Sequence, residues 1–111
     1  MNTTAAKKFH AEMLALYDMC AGLGFRPVLF RRAVVLKGGV NAAKELVFKP
    51  GTTGLERLIE LGRKDISMEA AMLRPEYRAL FEPLELKEAE KCLAGSGRER
   101  SRGRLQAQGS P

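Results

Sequence analysis

Apolar residues recur over the first twenty positions at the spacing of an α-helix. Phe9, Met13, Leu16, Tyr17 and Cys20 fall at i, i+4, i+7, i+8 and i+11, one face of a 3.6-residue repeat. Thr3 or Thr4 can cap the start, and Gly22 and Gly24 provide a stop, so a helix is predicted over residues 3–21. The next apolar run, Val28 to Leu36, reads two ways. Its Val, Leu and Phe suit a strand by propensity alone. Pro27, however, suits the first turn of a helix, and Gly38-Gly39 suits its end. A helix is therefore expected over 27–37, moderately buried, with Leu29, Ala33 and Leu36 on one face and Phe30 and Val34 beside them.

A third helix is predicted from Val40 to Phe48, with Val40, Ala43, Leu46 and Val47 inward, followed by a turn at Lys49-Pro50-Gly51-Thr52. Thr53-Gly54-Leu55-Glu56 matches a capping box, in which the Thr hydroxyl takes the third amide of the helix and the Glu reaches back. A fourth helix then carries Leu55, Leu58 and Ile59 and ends at Gly62. Asp65 or Ser67 can cap a short helix from Met68 to Leu73, which Arg74-Pro75 breaks. Tyr77, Leu80 and Phe81 mark another short turn. Pro83 opens the last helix, with Leu86, Ala89 and Leu93 inward and Glu85, Glu88 and Glu90 outward. The fold class predicted is all-α, a compact array of five to seven short helices over residues 1–94. Residues 95–111, rich in Gly, Ser, Arg and Gln, are expected to form a disordered basic tail, because they hold too little apolar surface to offset the entropy of ordering.

The stretch GGVNAAKELV, followed by TTGLERLIELGRKDISMEAAMLRPEYRALFEPLELKEAEKCL, resembles a small bacterial helical domain. Its pattern is GG-hydrophobic-x-x-A-K, a Gly-led helix, then G-R-x-D-hydrophobic-[ST]-hydrophobic-E-A and a final acidic helix after "LF". The resemblance covers about residues 25–94, and Gly62-Arg63-x-Asp65-Ile66-Ser67-x-Glu69-Ala70 is its most specific piece. It implies an α-helical domain and a link to nucleic-acid transactions, since some proteins with such domains carry, or lie beside, nuclease and restriction genes. It supplies no catalytic residue. Where the pattern has an aromatic in the fourth helix, this chain has Leu58-Ile59.

Composition narrows the chemistry. With 111 residues, 45% of them hydrophobic, the chain has material for one core and no second. It holds no Trp, one His and two Cys, at 20 and 92, without a CxxC. That argues against a zinc site, and neither a metal nor a cofactor is expected. Both cysteines are expected to act as small core hydrophobes in a reduced, cytoplasmic protein. Lys7, Lys8, His10, Glu12 and Asp18 interrupt any signal-peptide core, and no apolar run is long enough to span a bilayer. His10 is expected at the surface. The Glu85, Glu88 and Glu90 face lacks the ExxH pairing of carboxylate metal sites, and Gly38-Gly39 lacks the context of a nucleotide loop.

Charge adds the one functional signal. The net charge is +6, unevenly spread: residues 1–50 hold 8 Lys/Arg against 3 Asp/Glu, residues 51–94 hold 7 against 9, and the remainder 4 against 1. Arg26, Arg31, Arg32, Lys37, Lys44 and Lys49 make up most of the first basic group, with Glu45 as the local counter-charge. Arg98, Arg100, Arg102 and Arg104 form an every-second-residue run in the tail, without interleaved aromatics for stacking. Arg31, Arg32, Lys37, Lys44, Lys49 and the four tail arginines are the candidate nucleic-acid-binding residues. The alternative is that these cations are scattered and solvated. Residues 62–73 admit a helix-turn-helix reading, but the second helix offers Met68, Glu69, Ala70, Ala71 and Met72, acidic or apolar where phosphate needs cations. An αα-corner capped by Asp65 is the other reading. The expectation is a non-catalytic helical module that binds DNA or RNA, or assists a protein that acts on nucleic acid. The second reading is a protein–protein adaptor or oligomerisation module.

Overall fold

The computed structural model describes residues 3–95, and among them there are six α-helices, two 3-10 turns and no strand. The helices are α1 (Thr3–Gly22), α2 (Val28–Lys37), α3 (Gly39–Leu46), α4 (Leu55–Glu60), α5 (Met68–Met72) and α6 (Pro83–Gly95). The 3-10 turns are Lys64–Ile66 and Arg78–Leu80. The tail expectation, with Arg98, Arg100, Arg102 and Arg104, lies outside the described residues.

Phe9, Met13, Leu16 and Cys20 of α1 are all buried, as their spacing requires. α2 and α3 pack against each other and against α1, while α5 lies on α6 and also touches α1 and α3. The centre of the core is aromatic. Phe9 meets Tyr77 and Phe81 edge-on, with ring centroids 5.2 and 5.3 Å away. Edge-to-face contacts place the positive rim of one ring on the negative face of the next. The Tyr77 hydroxyl donates to Glu12 Oε1 (2.5 Å), and Arg74 donates to the other oxygen of the same carboxylate. Arg74 also lies over the Tyr77 ring, 5.3 Å from its centroid. Burial and the facing Glu12 push the Tyr77 phenol up to about 12. It therefore remains a donor at any ordinary pH and ties α1 to the segment between α5 and α6.

The approach of α3 to α1 depends on Gly39. A Cβ built there would lie 2.6 Å from the His10 Cα, closer than carbon atoms can sit. The Gly39 amide donates to His10 Nδ1 (2.9 Å), so the half-buried His10 serves as an acceptor for the first turn of α3. The expected surface histidine is thus a helix-packing residue. Gly38, at φ 88°, makes the single-residue turn between α2 and α3.

One local expectation is corrected, and one choice between two caps is decided. Thr53 does not cap α4. The N-cap is Gly54, in the left-handed region at φ 82°, without a side-chain cap bond. The Thr53 hydroxyl instead donates to Glu69 Oε2 (2.9 Å), a tertiary bond that local spacing cannot foresee. Ser67, and not Asp65, caps α5, accepting from the Ala70 amide (3.1 Å), while Asp65 pairs with Arg63 at 3.3 Å.

The moderate burial expected for α2 resolves into two extremes. Phe30 and Val34 are completely buried, whereas Val28, Leu29, Val35 and Leu36 are 60, 59, 56 and 71% exposed. The helix carries apolar residues around most of its circumference, and only the side bearing Phe30 and Val34 meets its neighbours.

Candidate functional site

The structure divides the basic residues singled out by sequence into two groups. Lys37 and Lys49 both donate to Glu45, Lys49 at 2.8 Å, and this holds the Glu45 carboxyl down to about 2. Lys44 pairs with Glu85 of α6 at 3.1 Å, and its ammonium lies 5.8 Å from the centroid of the Phe81 ring. Glu45 is therefore not the sole local counter-charge. Glu85 is a second, and it comes from a helix 41 residues away in sequence. All three lysines are committed to carboxylates. Arg31 and Arg32 have no carboxylate partner among the described residues. Arg31 lies over the Tyr17 ring at 5.3 Å.

These two arginines belong to the exposed side of α2. Tyr17, Val28, Arg31, Arg32, Val35 and Leu36 line one open depression there. Val28, Arg32, Val35 and Leu36 follow the i, i+4, i+7, i+8 spacing of a single helix face. An exposed apolar strip of this kind, bordered by polar groups, is the usual mark of an interaction surface. The geometry offers dispersion contacts along the helix and two cations whose charge is not already neutralised.

The 62–73 corner presents no reading helix. Glu69, Met68, Ala71 and Met72 of α5 are all buried, Glu69 at 3% exposure. The carboxylate thought to repel phosphate instead faces inward. It lines a cavity of about 230 Å³ between the α3–α4 loop, α4, α5 and α6. Leu46, Val47, Leu55 and Ile59 supply apolar walls, and Thr53, Glu56, Glu69, Glu88, Lys91 and Cys92 the polar ones. Thr53 donates to Glu69 Oε2, whereas Glu69 Oε1 has no hydrogen-bond partner. Burial pushes the Glu69 carboxyl up, and the charge of Glu56 adds to the effect. Burial, with Glu69, Glu88 and Glu56 nearby, pushes the Cys92 thiol up to about 11. A thiol so placed is a poor nucleophile at neutral pH. Sequence reading missed this cavity because its polar residues lie on four separate elements. Thr53 reads locally as a cap, and Glu69 as an acid on the second helix of a helix-turn-helix.

Glu69 should leave a signature in the pH dependence of stability. The folded state binds its proton more tightly than the unfolded chain, whose carboxyl has the ordinary value of 4.5. Glu69 therefore costs no stability below that value and removes stability as pH rises through it toward the raised folded value. The charged groups around it are Glu56 on α4, Glu88 and Lys91 on α6, and Lys49 in the loop after α3. Glu69→Gln cannot ionise. Its unfolding free energy relative to the native chain should increase between about pH 4 and about pH 7, measured by urea denaturation at both. A difference that stays constant or shrinks would show that the carboxyl is not held in its neutral form.

Compared with protein-family models, with curated proteins and with solved structures, the chain finds no match.

Proposed function

We propose that this chain is a helical binding module that docks a protein partner along the exposed side of α2, and that the partner presents an apolar ridge flanked by carboxylates. The observation that carries the reading is the exposure of Val28, Leu29, Val35 and Leu36 around Arg31 and Arg32. Protein–DNA interfaces are polar and strongly cationic. Here the three lysines are paired with two carboxylates, Glu45 and Glu85, and aliphatic side chains surround the two uncommitted arginines. A second copy docked about a twofold axis would set this cationic face against an identical cationic face. An acidic, apolar segment satisfies both features, and fully desolvated arginines are frequent anchors of such contacts. The resemblance of residues 25–94 to domains near nuclease and restriction systems points to a nucleic-acid-acting protein as the partner, with this chain assisting it.

The test uses the full chain and four probes: a helical peptide with a Leu stripe flanked by Glu, the same peptide flanked by Lys, a DNA duplex and a single-stranded RNA. The Glu-flanked peptide should bind most tightly, with an affinity that falls as salt is raised. Replacing Val35 and Leu36 together by Lys should weaken it at least about tenfold. The same change should alter stability by no more than about 0.5 kcal/mol, since both side chains are exposed. Duplex or RNA binding that exceeds peptide binding, falls on replacing Arg31 and Arg32 by Ala, and persists when Val35 and Leu36 are replaced, would establish the nucleic-acid reading instead. Equal binding of the two peptides, or dimerisation by sedimentation that is lost in the Val35 and Leu36 variant, would also overturn the acidic-partner reading.

A further inference from the structure

We propose that the cavity between α4, α5 and α6 is a binding site for a primary ammonium group carried on an unbranched aliphatic chain, with Glu69 Oε1 as its acceptor. This site is separate from the α2 face and does not depend on the reading given for it.

Three observations converge on that chemistry. First, Glu69 is almost wholly buried, yet one of its oxygens has no partner. A buried acceptor left without a donor is costly, and folded proteins satisfy nearly all of them. A donor that reaches Oε1 removes that cost. Second, carboxylates outnumber the uncommitted cations around the cavity. Lys49 is held by Glu45, and Lys91 lies 3.8 Å from Glu88. Glu56 has no ion pair among the described residues. A cation entering here meets that Glu56 carboxylate and favours ionisation of Glu69 by supplying the counter-charge that burial denies it, while Glu88 already has Lys91. Third, the remaining walls, among them Leu55 and Ile59, are aliphatic and accommodate a methylene chain.

The count of available oxygens selects among cations. Thr53 already donates to Glu69 Oε2, so Oε1 is the oxygen left without a donor. A guanidinium is best recognised by two parallel bonds to both oxygens of a carboxylate. An ammonium is a compact point charge and is satisfied by one short bond with the rest of its charge near Glu56 or Glu88. An uncharged alcohol could donate to Oε1 but would gain nothing from the other two carboxylates.

The ammonium could belong to a free alkylamine or to a lysine side chain of another protein, and the experiment separates these sources. The full chain, labelled with nitrogen-15, is titrated with pentylammonium chloride, with 1-pentanol, and with a blocked Gly-Lys-Gly tripeptide. Pentylammonium should shift the amide resonances of Thr53, Leu55, Ile59 and Cys92 in a saturable way. Pentanol should bind at least about tenfold more weakly, as expected where a charge-assisted bond is lost. Tripeptide binding at least as tight as pentylammonium identifies a lysine side chain as the occupant, and binding of pentylammonium alone identifies a free amine. Glu69→Gln, which keeps the shape and removes the charge, should reduce binding about tenfold or more. If that variant fails to fold, as judged by circular dichroism, Ile59→Phe narrows the cavity from its half-exposed wall and should abolish the saturable shift. The proposal is overturned if pentanol binds as well as the amine, if affinity is unchanged in both variants, or if no ligand gives a saturable shift up to tens of millimolar (about 2–3 kcal/mol of binding).

Discussion

Phe9→Ala should lower the unfolding free energy by about 3–5 kcal/mol, the range for removing a large aromatic ring from a packed core. Domains of this size have in total about 5–15 kcal/mol, so the variant should be at the margin of folding at room temperature. The cost arises because Phe9 is wholly buried and touches both Tyr77 and Phe81. Its loss leaves a void where α1 meets the segment leading into α6, and the two remaining rings lose their edge-to-face partner. Tyr77→Phe removes only the hydroxyl and should cost less, although it leaves Glu12 Oε1 without its donor. Urea denaturation of the two variants orders them. Equal small losses would mean that the three rings are not packed as a unit.

Gly39→Ala should cost about 1–3 kcal/mol from overpacking alone. The clash is with the backbone of α1, at 2.6 Å from the His10 Cα, so no side-chain rotation relieves it. Moving α3 away would also lengthen the bond from the Gly39 amide to His10 Nδ1, adding about 1 kcal/mol. Gly22→Ala serves as a control, because a Cβ there meets nothing within 4 Å and the backbone is not left-handed. That change should be neutral or stabilise by about 0.4–1 kcal/mol. If the two substitutions have the same effect on the melting temperature, α1 and α3 do not approach as closely as the backbone places them.

Helix periodicity made much of this fold legible before any coordinates. The stripe of Phe9, Met13, Leu16 and Cys20, with Tyr17 only half-buried beside it, and the Pro27 and Pro83 helix starts all have local causes and form where the sequence puts them. Ser67 was visible as one of two caps because a capping hydroxyl acts within its own turn. The limits came where a residue had two local explanations. Gly38-Gly39 reads as a helix stop, yet Gly38 alone makes the turn and Gly39 is needed for the approach of α1. Thr53 reads as a cap, yet its hydroxyl is bonded to Glu69.

The sequence by itself therefore determined the helical class, the element order and the inward face of α1. It did so because a 3.6-residue repeat and its caps are written over neighbouring positions. Only the tertiary structure decided which side of α2 is buried, since that helix is apolar nearly all round and its neighbours choose the face. It also decided which cations remain uncommitted, because Lys44 meets Glu85 from across the chain, while Arg31 and Arg32 meet no carboxylate among the described residues. The same holds for the acidic cavity. Glu69 is buried by elements that are remote in sequence, and the cost of an unsatisfied oxygen exists only once the fold has removed it from water.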